Sequence, residues 1–230
     1  MATKTDSSTQ PRIPLTKDRV LGAAVVLADA SGIESVTMRK LAGELGVEAM
    51  SLYYHVANKE ELLDGMVDAI VSEIEQACGG FAVPERVDWK TALRNRILTA
   101  RAVMLRHPWA PGLLETRTTL SPAMVRYFDT LLGIMVEGGF SYDLGHHAMH
   151  TLGSRALGFN QELFVPDNDS QEEQGDEMLA QMAEQVPYLM GMMQEIVHDD
   201  PDSTLGWCDD QSEFEFGLDL ILDGLEQRRG

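Results

Sequence analysis

Cysteine is nearly absent from this chain of 230 residues: Cys78 and Cys208 stand far apart and match no CxxC or metal-ligand spacing. A disulfide framework and a zinc site therefore have no basis, and both residues read as reduced thiols. No run of about 18 apolar residues occurs, so nothing reads as a membrane span. The opening MATKTDSSTQPRIP lacks the apolar core of a signal peptide, which leaves the cytoplasm as the expected location. GxSxG, P-loop, HExxH and Gly-rich dinucleotide turns are all missing, so the sequence supports neither an enzyme nor a cofactor. Basic residues are few, 18 Lys and Arg against 37 Asp and Glu, for a net charge of -19.

A polyanion should repel DNA, but the acid is unevenly placed. The first sixty residues balance seven basic side chains (Lys4, Arg12, Lys17, Arg19, Arg39, Lys40, Lys59) with seven acids, while the remainder holds 11 basic against 30 acidic. Such asymmetry fits either a division of labour or an acidic surface kept for solubility. With 44% hydrophobic residues, the chain can build a substantial core.

Helix signals crowd the amino-terminal part. Thr16 is placed to cap a helix with apolar positions Val20, Ala23, Ala24 and Leu27, stopped by Gly32. Thr37 caps the short MRKLAGEL, which Gly46 ends; Glu48 opens AMSLYYHV; and Asn58 with Glu61 makes a capping-box-like start to a long helix through Leu62, Met66, Ala69, Ile70 and Ile74. Two short helices around a Gly-Val turn, leaning on a longer first helix, predict a helix-turn-helix whose second helix enters the DNA major groove. Leu52 and Val56, one turn apart, can face the core. Ala49, Met50, Ser51, Tyr53, Tyr54 and His55 then occupy outward and flanking faces. Tyrosine and histidine donate to phosphate oxygens, Lys59 adds a point charge, and Ala49 and Met50 can approach base edges. The plainer alternative is that one of the tyrosines packs under the turn.

The stretch VTMRKLAGELGVEAMSLYYHVANKEELL resembles the DNA-binding domain of the tetracycline-repressor (TetR) family of dimeric bacterial transcription regulators, with L-Y-x-H-V-x-N-K its most specific part. The resemblance implies that Thr37, Tyr54 and Lys59 contact phosphates, that Arg39, beside Met38, contacts a base or groove, and that Ser51 and Tyr53 sit where the recognition helix meets DNA. Ala49 and Met50 depart from the family's namesake, which has glutamine and proline there, so its operator does not transfer.

More weakly, the resemblance continues as a tetracycline-repressor-like carboxy-terminal domain. Helices are expected over Trp89 to Leu105, from Pro122 to the Gly138-Gly139 pair, and over Tyr142 to Phe164, with HPWAP breaking the pattern after the first. PDNDSQEEQGDE and HDDPDSTLGWCDDQSE read as acidic loops flanking the Met-rich MLAQMAEQVPYLMGMMQEI. The last helix places Phe214, Gly217, Leu218, Ile221, Gly224 and Leu225 on one stripe, which an intrachain core would also explain. The resemblance implies that this helix and the one from Tyr142 pair with their copies in a homodimer. Likewise by position, Arg96, Ala100, Leu114, Phe128, Leu131, His146, Met149 and His150 should line an effector pocket. Leu114 and Glu75 stand where the namesake has pocket histidines, so tetracycline itself is not implied. His146 and His150 lie one turn apart and could share a metal, but no third ligand of obvious spacing joins them, and no metal site is assigned.

The sequence thus predicts an all-α protein with three parts: a disordered arm over 1–14, a three-helix helix-turn-helix DNA-binding domain over 15–62, and a larger helical ligand-binding and dimerisation domain over 63–230. Its expected partners are double-stranded operator DNA, an unidentified small-molecule effector and a second copy of itself, with no membrane. The competing reading is a helical protein-binding adaptor that has lost operator binding.

Overall fold

In the computed structural model, the residues described are 14–83, 88–118, 120–158, 185–188, 190–191 and 210–229. Among them there are nine α-helices and no strand. They are α1 (Lys17–Ser31), α2 (Met38–Leu45), α3 (Ala49–Leu52), α4 (Lys59–Ala77), α5 (Trp89–Arg106), α6 (Ala110–Thr116), α7 (Pro122–Glu137), α8 (Tyr142–Gly158) and α9 (Asp210–Glu226). The expected arm up to residue 13, the first acidic loop, most of the second, the end of the helix projected to Phe164 and most of the Met-rich segment lie outside the described residues; the second loop's last residues, 210–213, are instead the first turn of α9.

Three helix starts are set by the caps that the sequence offers. The side chains of Thr16, Thr37 and Asn58 accept the backbone N–H of Arg19, Lys40 and Glu61, satisfying donors that the first turn leaves without intrahelical partners. Gly46, at φ 65°, ends α2 in the left-handed region that a side chain disfavours. α6 is not predicted by the sequence pattern. HPWAP does stop α5, but Pro111 stands in the first turn of the next helix, where its missing N–H costs nothing.

The chain divides into two compact units, Met1–Gly80 with Ala102–Tyr127, and Phe81–Arg101 with Phe128–Gly230. α4 runs unbroken for 19 residues across the domain boundary expected at 62/63, so the first unit reaches further than the helix-turn-helix alone. In this unit Val20, Ala24 and Leu27 of α1 are buried together with Leu41, Leu52, Val56, Leu62, Met66 and Ile70. Gly65 of α4 admits Leu21 of α1 so closely that a Cβ there would lie 2.5 Å from a leucine methyl. Arg117, after α6, bonds Glu60 and Asp64 of α4 at 2.9 and 3.2 Å. Burial works against its charge, yet the two carboxylates outweigh that and raise its pKa.

The second unit centres on Trp89, Leu93, Ile97, Ile134, Met135, Phe140, Ala148, Leu152, Phe214, Leu218 and Leu222. Trp89 meets the Phe140 ring edge-on at 4.6 Å and donates its indole N–H to Glu226 at 2.9 Å. The guanidinium of Arg94 spans Asp219 and Glu215, each at 2.7 Å.

Candidate nucleic-acid interface

The exposed face of the helix-turn-helix follows from which residues its core consumes. α3 is a single turn of four residues, and Leu52 inside it and Val56 just beyond are wholly buried. With these two side chains pinned, the remaining positions turn outward: Met50 is 70% and Tyr54 87% exposed, and Tyr53 is exposed as well. Neither tyrosine packs beneath the turn. Tyr53 to His55 continue as a tighter turn, closed by the His55 N–H donating to the Leu52 carbonyl at 2.9 Å. Ala49, Ser51 and His55 are half-buried on the flanks, as is Met38 on α2.

Thr37, Arg39 and Lys59 are exposed at the edges of this face. The Thr37 oxygen accepts the Lys40 N–H, which leaves its own O–H to donate outward. Lys59 opens the 19-residue α4, so its ammonium and the helix's amino-terminal dipole combine where an anion would dock. Two acids follow it, and Glu61 is occupied: its carboxylate accepts from Lys17 and from the Ala57 N–H, both at 2.7 Å. Those bonds, the lysine's first, hold the Glu61 pKa below its ordinary value. The result is an outward row of hydroxyl, thioether and cationic groups on a buried two-residue anchor, chemistry suited to phosphates and groove edges.

Of the expected effector residues, Leu114 falls in the first unit and the others in the second. Arg96 and Ala100 of α5 are buried, Arg96 at 6% exposure, so the arginine does not point to solvent. Leu131 and Met149 pack against the second unit's core and Phe128 is half-buried. His146 and His150 are exposed, because Gly145, Ala148 and Leu152 take the core-facing side of α8. Their rings meet edge-on at 4.6 Å on its outer face. Among the described residues, no three His, Cys, Asp or Glu side chains gather to hold an ion. Leu114 belongs to the first unit and lines a cavity of about 360 Å³ there with Asp64, Val67, Arg117, Leu120 and Met124. No sequence signal marks that cavity, because two prolines hide the helix α6 that carries Leu114.

The expected stripe on α9 divides between the protomer's own core and its surface. Phe214, Leu218 and Leu225 are spent on the protomer's own core along with Leu222, which the expected stripe leaves out. Gly217 is approached by a side chain, since a Cβ there would lie 2.5 Å from the Arg155 guanidinium. Ile221 and Gly224 remain half-exposed, and the outward apolar residues are Phe216 at 64% and Leu220 at 58%.

An all-helical chain with an exposed helix-turn-helix face is a DNA-binding regulator of the two-unit type. Family models match it over most of its length: residues 20–66 as bacterial regulatory proteins of the tetR family, and residues 82–229 as the tetracyclin repressor-like carboxy-terminal domain. The chain belongs to the TetR family, and it is a transcriptional regulator and not an enzyme. It is 31% identical to the HTH-type transcriptional repressor DrrR1 of Streptomyces coeruleorubidus over 96% of this chain and 82% of that protein. It is 34% identical to an HTH-type transcriptional regulator of Saccharopolyspora erythraea over 55% of this chain, a match that spans about half, 51%, of that relative's length. In fold it is similar to apo ActR from Streptomyces coelicolor, with a TM-score of 0.75, 24% identity and coverage of 95% and 98% of the two chains. Among the described residues no helix is long and apolar enough to cross a membrane.

Proposed function

We propose that this protein is a cytoplasmic, homodimeric repressor that occupies a palindromic operator through α2 and α3 and leaves it when a small, mostly hydrophobic molecule binds. The observation that carries the reading is the exposed Met50, Tyr53 and Tyr54 face held by fully buried Leu52 and Val56. Two copies related by a two-fold axis would present two such faces to two half-sites. In this reading residues 15–62 read DNA, while 63–230 bind effector and partner, with Arg96 as the polar anchor of the effector pocket. Ligand binding acts by moving α4, so bound and free states differ in operator affinity. ActR, similar in fold, has been solved in complex with actinorhodin, and that complex supports release by a small molecule.

Selection of duplexes from a random pool by the purified dimer at low salt tests the proposal. A palindromic preference is expected, weakening steeply as salt rises, because phosphate contacts release counterions. Ala49→Gln with Met50→Gln should then change the preferred bases without abolishing binding. No preference for any palindrome would sink the repressor reading and favour the protein-binding adaptor.

A further inference from the structure

His107, in the turn between α5 and α6, is 7% exposed and has a carboxylate at each ring nitrogen. Nδ1 lies 2.8 Å from Asp29 Oδ1 of α1, and Nε2 lies 3.2 Å from Glu73 Oε2 of α4. A neutral imidazole has one N–H and one lone pair, and an ionised carboxylate only accepts, so a neutral ring would press a lone pair against one of these oxygens. The contradiction is removed by a second ring proton or by protonating an acid. Both acids are otherwise engaged as acceptors. Asp29 Oδ1 accepts the indole N–H of Trp109 at 2.6 Å, and Glu73 Oε1 accepts Arg106 Nη2 at 2.6 Å. Arg106 foremost, then His107, holds the Glu73 carboxyl below its ordinary range.

We infer that His107 is an imidazolium clasped between Asp29 and Glu73, and that it is a positioning residue for the helices carrying the DNA-binding face. The charged groups placed against it are Asp29 from α1 and Glu73 from α4, with Arg106 of α5 on the far oxygen of Glu73. With the ring charged, two cations balance two anions; with the ring neutral, a ring lone pair is left facing a carboxylate oxygen. The clasp ties the last turn of α1 and the carboxy-terminal half of α4 to the α5–α6 turn. α4 packs against α1, α1 packs against α2, and α2 carries α3. No contact of His107 with DNA is involved.

An uncharged ring would open the clasp, so its contribution is present only while both ring nitrogens carry protons. Lowering pH far enough protonates Glu73, whose lowered titration sets the acid limit of the same contribution.

Selective nitrogen-15 labelling of histidine in the full chain tests the inference on the protein as it is. At about pH 7.5, where an ordinary imidazole carries one proton, the imidazole signal absent from His107→Gln should show two protonated nitrogens. Thermal unfolding followed over about pH 5.5 to 8.5 should fall more steeply with rising pH in the wild type than in His107→Gln. Operator affinity should show the same difference, with about tenfold more loss in the wild type, the worth of one charge-assisted hydrogen bond. The other histidines are common to both proteins, so their titration cancels. A singly protonated ring in the wild type, or equal pH slopes in the two proteins, overturns the inference even if the variant folds poorly, since the ring signal is read on the wild type. The operator measurement alone depends on the repressor reading. A wild type that binds no operator at any pH refutes that reading, while the ring signal and the melting profile still decide the clasp.

Discussion

Replacing Leu52 with alanine separates the anchor of the recognition helix from its contacts. α3 has four residues and no side-chain cap at Glu48, and a helix that short has no stability of its own. It is held by Leu52 and Val56, both without exposure, and by turn bonds such as Val56 N–H to the Leu52 carbonyl at 3.0 Å. Leu52→Ala removes three buried carbons, worth about 2.4 kcal/mol at roughly 0.8 kcal/mol each. The cavity left behind brings the cost to about 3 kcal/mol. The melting midpoint should fall on the order of 10 °C. Operator affinity should fall with it, because the groove-facing turn is held in its competent form for a smaller fraction of the time. Tyr54→Phe is the control. It removes only an exposed hydroxyl, so stability should stay within about 0.5 kcal/mol. Affinity for all sequences should drop about fivefold, the worth of one phosphate hydrogen bond near 1 kcal/mol. Urea titration followed by circular dichroism, beside operator titration followed by fluorescence anisotropy, reads both quantities. Leu52→Ala within about 1 kcal/mol of the wild type would refute the two-residue anchor, because α3 would then be held by something other than Leu52 and Val56.

Three further outcomes follow from the second unit. Phe216→Asp, at an exposed position, and Ile221→Asp, at a half-buried one, should lower the dimer mass in sedimentation while the protomer stays helical, whereas Leu218→Asp, at a fully buried position, should unfold it; an unchanged dimer in both of the first two variants would move the interface off α9. Arg96→Ala should keep operator binding and lose release by an identified effector, and equal effector affinity in variant and wild type would take Arg96 out of the pocket. Arg94 holds Asp219 below its usual titration, and Gln211 followed by Arg94 does the same for Glu215. Their stabilising contribution is therefore present above the ordinary carboxylate range and lost as pH falls through the lowered values. Acid unfolding should be less steep in Arg94→Gln, and an unchanged acid profile would mean the pair adds nothing.

Local chemistry is legible in the sequence because it is settled within a few residues. Thr16, Thr37 and Asn58 cap the helices that their positions predict, Gly46 ends α2, and the i, i+4 spacing of Leu52 and Val56 decides which side of the recognition turn faces outward. The all-helical class and the helix-turn-helix follow from the same short-range signals. Tertiary structure decided the faces for which several phases fit one apolar pattern. On α9 the core took 214, 218, 222 and 225, and left Phe216 and Leu220 outside. On α8 the buried Gly145 and Ala148 face the core, with Gly145 close against Leu132, which turned His146 and His150 outward. The His107 clasp joins residues 78 and 34 positions apart in the chain. No periodicity records such a meeting, because it depends on three helices arriving at one point; sequence determines each helix by its neighbours along the chain, and only packing determines which side chains share a proton across it.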